Sequence, residues 1–230
     1  MIIYQPKNGY CYNSDTIFLY DFISSFPLRG KVLDIGSGSG VLGLMAQRDY
    51  PIELTSVEKQ PIMAKFTEIN AKANGFDIEI ICGDFLELEF DKKFDFIITN
   101  PPFYHPSVLK SEKKELYISR YSENLPFEDL IKRANSILGP KGAIMFCYDA
   151  KQLQHLLSVL SRYKFIAEAI RFVHPKAERE ATLVNVYAKK SSRSLCKIKE
   201  PLVVFDKDGY SQRALEAFEK ADLYSIKCEL

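Results

Sequence analysis

Lys31-Val32-Leu33-Asp34-Ile35-Gly36-Ser37-Gly38-Ser39-Gly40 is an apolar, strand-like run that ends near an acid and opens into alternating glycines. A glycine-rich turn after a first strand lets a ligand approach the backbone and the N-terminus of the next helix. The spacing admits two kinds of ligand. Gly38, Gly40 and Gly43 fit the dinucleotide pattern G-x-G-x-x-G, which is a weak signal alone. Asp34, two residues before the first glycine, is costly beside a pyrophosphate and suits a cationic ligand instead.

Working outward, apolar runs recur with helical stretches between them. Strands are expected at 52–57, 78–82, 94–99 and 142–148. Helices are expected at 41–48, 61–74, 126–138 and 151–163, the third stopped by Gly139-Pro140. Strands alternating with helices argue an α/β fold with a doubly wound, mostly parallel sheet. The last third differs. Residues 165–173 and 182–188 are β-rich with only a polar loop between them, which predicts a hairpin and an antiparallel strand in the edge region. Residues 15–26 read as a helix begun by Ser14 as N-cap. The 230 residues are expected to form one domain: an N-terminal extension 1–30 on the ligand side, a core 31–190 and a C-terminal tail 191–230.

Composition narrows the class. With 47% hydrophobic and 27% charged residues the chain reads as globular, and no apolar run is long enough to span a bilayer. No secretory signal is visible at Met1 to Lys7. The five cysteines are scattered without a Cys-x-x-Cys pair and only three histidines are present, so no metal or disulfide framework is expected and the cytoplasm is the expected compartment. A net charge of +1 excludes a globally basic nucleic-acid binder and leaves only a local patch.

Chemistry gathers at the strand ends. Glu58 follows Asp34 by 24 residues, where a carboxylate can accept from two ribose hydroxyls. Asp84 ends the third run, placed to accept from an adenine amino group with Phe85 against the ring. Asn100-Pro101-Pro102-Phe103 follows the fourth. Proline pushes Asn100 to an extended conformation and the prolines carry no N–H, so the corner is stiff, with free carbonyls, one amide and one flat ring. It can hold a planar amine between two acceptors and a ring face. Polar groups ending four successive strands describe a ligand site at the carboxyl edge of a sheet.

At these residues the chain resembles the class I S-adenosylmethionine-dependent methyltransferases, and among them those with an Asn-Pro-Pro-aromatic motif. The resemblance extends to the bacterial tRNA (valine-type) adenine-N6 methyltransferases through Gln5-Pro6-Lys7-Asn8-Gly9-Tyr10, Ser14-Asp15-Thr16-Ile17-Phe18-Leu19, Arg120-Tyr121, His174-Pro175-Lys176-Ala177 and Glu200-Pro201-Leu202-Val203-Val204. Residues 106–115 depart from that pattern.

The resemblance implies a Rossmann-like, seven-stranded sheet with its last strand antiparallel. It implies S-adenosylmethionine as cofactor, with Asp34, Gly36, Gly38 and Gly40 around its methionine part, Glu58 at the ribose and Asp84 at the adenine, and with Ser37, Lys59 and Phe85 also among the cofactor-binding residues. Asn100, also beside the cofactor, would act with Pro101, Pro102 and Phe103 on the target, the N6 amine of an adenine at position 37 of a valine tRNA. The enzyme is expected as a monomer or weak homodimer without metal or membrane contact.

Candidate RNA contacts are Lys113, Lys114 and Arg120, with Lys110, after the corner, and Lys176 and Arg179 between the last two β runs. Basic residues from Lys189 to Lys199 either reach the substrate or serve solubility. The corner alone would grip adenine, guanine or a glutamine amide alike. A guanine-N2 rRNA methyltransferase and a protein glutamine-N5 methyltransferase are therefore alternatives. An NAD-dependent oxidoreductase is the alternative from another class, and it leaves Asn100 to Phe103 idle.

Overall fold

The computed structural model describes residues 1–9, 11–103 and 125–230. Lys110, Lys113, Lys114 and Arg120 lie outside the described residues.

The strands β2 (Gly30–Ile35), β3 (Ile52–Glu58), β4 (Glu79–Cys82), β5 (Phe94–Thr99), β6 (Leu138–Asp149), β7 (Phe165–His174) and β8 (Leu183–Lys190) form the central sheet. Their order is β4-β3-β2-β5-β6-β8-β7. Neighbours from β4 to β6 are parallel, and β8 runs antiparallel to both β6 and β7. The antiparallel strand therefore lies inside the edge. The two-residue strands β9 (Lys197–Ile198) and β10 (Leu202–Val203) extend the sheet beyond β7.

Both faces of the sheet are covered, and strand alternation decides which residue faces which layer. Ile98, Met145 and Cys147 share a core with α1 (Ser14–Ile23) and α2 (Val41–Asp49). Their neighbours Ile97, Ile144, Phe146 and Tyr148 pack on the other face against α4 (Phe127–Ile137) and α5 (Leu153–Arg162). α3 (Pro61–Ala73) connects β3 to β4. Apolar residues at helical spacing account for the docking of α5 through Leu156, Val159 and Leu160.

Three expectations need correction. The N-cap of α1 is Asn13, not Ser14: Asn13 is extended, and its side-chain oxygen accepts the Asp15 N–H at 3.2 Å. Gly139-Pro140 ends the helix but does not precede the strand. β6 begins at Leu138 and bulges, so that Phe94 pairs with Leu138 while Phe96 pairs with Ala143, with Lys141 at φ 63°. A bulge is where a strand tolerates proline.

Residues 191–230 do not hang off the core as a tail. After β9 and β10, α6 (Gln212–Ala221) packs on α1, and β11 (Tyr224–Cys228) pairs in parallel with β1 (Ile2–Pro6).

α1 is fastened by a buried ion cluster. Asp21, 1% exposed, accepts from Arg171 of β7 at 2.6 Å and from Lys220 of α6 at 2.9 Å, and also pairs with Arg213. Arg171 and Asn185 additionally donate to the Phe18 carbonyl at 2.5 and 3.2 Å. One short helix thereby bonds β7, β8 and α6.

Candidate functional site

A solvent-open cavity lies at the carboxyl ends of β2, β3, β4 and β5. It is lined by Asp34, Gly36, Ser37, Gly38, Glu58, Lys59, Asp84, Phe85, Asn100 and Pro102. Of the candidate cofactor-binding and catalytic residues, Gly40, Pro101 and Phe103 are not on its lining.

Asp34 is 1% exposed, and its Oδ2 accepts the Gly43 N–H at 3.0 Å. A Cβ on Gly43 would stand 2.7 Å from that oxygen. Gly43 therefore makes room for the carboxylate, which explains the third glycine of the pattern. Burial pushes the Asp34 carboxyl up to about 7; the Gly43 N–H opposes this, and the charge of Glu58 adds to it. A buried acid held up in this way is one that a cationic ligand group would return to its charged form.

The sign for stability follows from the raised value. Protonated Asp34 favours the fold, so its contribution is full below the ordinary carboxylate value and declines as pH rises through about 7. Asp34→Asn is expected to shrink that decline. Urea midpoints at pH 5 and pH 8 are the check, and an undiminished decline in the variant would exclude Asp34 as its source.

The turn itself is tied on three sides. Gly36 and Ser37 donate to the Val57 carbonyl at 2.9 and 3.1 Å. Glu58, 5% exposed, accepts from Gly38 N–H through Oε2 and from Gln60 N–H through Oε1, both at 2.8 Å. Burial raises its carboxyl against these backbone donors. From α3, Thr67 donates to the Gly38 carbonyl at 2.9 Å. Asn70 donates to the Ser39 and Tyr4 carbonyls at 2.8 and 2.9 Å. Gly40, at φ 83°, starts α2, and a Cβ there would meet Thr67 Cγ2 at 2.9 Å. Both the dihedral and the contact call for glycine.

Asp84 is committed to the rim. Its Oδ2 pairs with Lys59 Nζ at 2.6 Å and its Oδ1 accepts the Leu86 N–H at 3.0 Å. Phe85 is 4% exposed and tilts against Phe90, so most of its ring belongs to the core while its edge lines the cavity.

The corner after β5 is anchored by Thr99, whose hydroxyl donates to the Ile35 carbonyl at 2.8 Å. The Asn100 amide donates through Nδ2 to Thr16 Oγ1 at 3.2 Å. Its Oδ1 is buried and has no hydrogen-bond partner among the described residues. Such an acceptor is costly to leave unmade. Pro101 is buried. Phe103 packs its ring 5.6 Å from that of Tyr148, and its carbonyl accepts from Gln152 Nε2 at 3.2 Å.

Lys176 and Arg179 are exposed in the loop after β7, which reaches the same end of the sheet as Asn100, and neither forms an ion pair among the described residues. Lys189 and Lys190 lie at the opposite end, because β8 runs backwards; Lys190 is spent on the Asn135 and Leu138 carbonyls at 2.7 and 3.3 Å.

Sequence reasoning missed Tyr12, Thr16, Gln60 and Leu125, which are also on the lining. Tyr12 is placed by its N–H bond to Gln5 Oε1 at 2.9 Å, and Gln5 reaches Ser225 of β11 at 2.5 Å. No local pattern signals such contacts. Among the described residues no His, Cys, Asp and Glu group could hold a metal ion, and no helix is long and apolar enough to cross a membrane.

Residues 14–174 match the family described as methyltransferase small domain. A tRNA1(Val) (adenine(37)-N6)-methyltransferase of Porphyromonas gingivalis is 31% identical over 156 residues, covering 64% of this chain and 61% of that protein. This chain thus matches about three fifths of that relative's length. A protein of the same name from Phocaeicola vulgatus is 27% identical over 212 residues, covering 91% and 89%. Among solved structures, a predicted O-methyltransferase of Agrobacterium tumefaciens superposes with a TM-score of 0.70 at 19% identity, covering 93% of this chain and 100% of that one. The T. thermophilus 16S rRNA N2 G1207 methyltransferase, solved with AdoMet and guanosine, gives 0.57 at 20% identity, covering 80% and 45%. At these identities the structural likeness speaks for the fold alone.

Proposed function

The chain belongs to the methyltransferase small domain family, and from that premise we propose that it transfers the methyl group of S-adenosylmethionine to the N6 amine of an adenine in tRNA, the one at position 37 of a valine tRNA. The observation that carries the reading is the buried, unpartnered Oδ1 of Asn100 in a proline-stiffened corner beside the cavity.

The donor set suits the cofactor. Buried Asp34 fits a positively charged ligand, Glu58 a sugar, and Asp84 an amino-bearing ring. When bound, S-adenosylmethionine supplies an activated methyl group. The chain's task is then positioning and electrostatics. Asn100 Oδ1 and the Pro101 carbonyl accept the two N–H bonds of the target amine, which concentrates its lone pair on nitrogen. Phe103 offers its ring to the base, a stacking contact of roughly 1–3 kcal/mol. A base in a tRNA loop is already partly unstacked, which lowers the cost of bringing it to Asn100. Lys176 and Arg179 serve as phosphate contacts, so binding weakens with salt. We place the reaction in the cytoplasm, carried out by a monomer or weak homodimer that needs no metal.

The test is transfer from labelled cofactor to total tRNA and rRNA of a strain lacking the protein, followed by nucleoside mass spectrometry. N6-methyladenosine in tRNA is expected; label in guanosine, or in protein only, overturns the reading. Asp84→Ala is expected to weaken cofactor binding at least about tenfold, the scale of one charged hydrogen bond. Unchanged affinity by calorimetry would remove Asp84 from the cofactor site.

A further inference from the structure

We propose that Thr16 is a positioning residue for Asn100: it holds the amide by its nitrogen end and leaves the oxygen end for the substrate amine. The inference rests on Asn100 being the acceptor for that amine.

The contact spans 84 positions of sequence, from the first turn of α1 to the end of β5, and both residues line the cavity. Thr16 is 6% exposed, so water does not compete freely for the bond. An asparagine side chain on a strand end has two rotatable bonds, and the corner prolines restrain its backbone but not its amide. The Nδ2 donation to Thr16 Oγ1 is the one hydrogen bond this amide makes among the described residues. Thr16 is itself immobilised. α1 is capped by Asn13 and clamped through Asp21 to β7 and α6, so the hydroxyl is a fixed post rather than a mobile surface group.

Thr16→Val keeps the branched shape and removes the hydroxyl. The expected result is a kcat lower by about tenfold, the scale of one neutral hydrogen bond, with KM for tRNA and cofactor affinity within about twofold. Thr16→Ser restores kcat to within about threefold of wild type. In an Asn100→Ala background, Thr16→Val has no further effect, because the group it positions is gone. Wild-type kcat in Thr16→Val overturns the proposal. So does a loss that Ser does not restore and that tracks melting temperature and cofactor affinity, which marks a merely structural residue.

A second readout needs no substrate. The Asn100 side-chain amide protons, assigned by NMR against Asn100→Ala, should be protected from exchange in wild type and Thr16→Ser and unprotected in Thr16→Val. An unprotected wild-type amide overturns the proposal. If the wild-type enzyme labels another amine, or none, the tRNA reading falls while this measurement still decides the role of Thr16.

Discussion

Asn100→Ala is expected to lower kcat by about a hundredfold or more while cofactor affinity stays within a few fold. The substitution removes the Oδ1 acceptor, which is buried and preset beside the cavity by the Thr16 contact. Acceptors fixed before reaction cost no reorganisation when charge develops, and losing one such group typically costs about 10²–10³ in rate. Asn100→Gln tests the geometry: it keeps the amide and moves it by one methylene. Misplacements of about 1 Å can cost about 10², so Gln is expected to rescue little. Single-turnover transfer to tRNA measures the chemical step, and calorimetry measures cofactor binding. A variant that transfers at the wild-type rate would sink the role given to Asn100. A variant that loses cofactor in parallel would move that role to binding.

Asp21→Ala is expected to destabilise the protein by about 3–5 kcal/mol, the usual cost of removing one partner from a buried ion pair. It leaves Arg171, 4% exposed, without its carboxylate, and frees Arg213 and Lys220. For a chain of this size such a loss lowers the melting temperature by roughly 10 °C. The pH dependence has a definite sign. Burial alone would raise the Asp21 carboxyl, but Lys220, Arg171 and Arg213 outweigh it and hold it below the ordinary range. The cluster's contribution is therefore full above the unfolded-state value near 3.9 and is lost as pH falls through the lowered one. Thermal scans from pH 7 downward should show the variant and wild type far apart at pH 7, with the gap starting to narrow only below the ordinary carboxylate value and closing further as pH falls through the lowered one. A difference within about 2 °C at pH 7 would mean that the cluster contributes little.

Much of the sheet was legible because both periodicities are strong. Runs such as Phe94 to Thr99 bury Ile97 on one face and Ile98 on the other, so they read as continuous apolar strands. The acids and the amide at strand ends were legible for the same reason, since the fold brings every parallel strand end to one edge. What was not legible is contact across long stretches of sequence. Thr16 reads as an ordinary helix residue until β5 is placed beside it. Asn13 and Ser14 are both good caps, and only the extended backbone of Asn13 decides between them. Gly139-Pro140 reads as a break because local chemistry cannot see the partner strand that recruits Leu138 through a bulge. Residues 191–230 read as a tail because β9 and β10 are two residues each, too short to show a period. The glycine pattern was open to two readings, and the closing residue Gly43 proved to serve the carboxylate of Asp34.

The clamp on α1 also orders events in time. Asp21 bonds groups 150, 192 and 199 positions further along, and its carboxylate has no nearer partner among the described residues. A chain emerging from the ribosome can pair β2, β3 and β5 earlier, because all three strands lie within its first 99 residues. Its first helix must wait for residue 220. Such distant contacts are slow to form, and until they do the hydroxyl of Thr16 has no fixed place. A nascent chain can thus display the glycine turn and the proline corner long before it can align an amine, so catalytic competence should be the last property to appear during folding, after cofactor affinity.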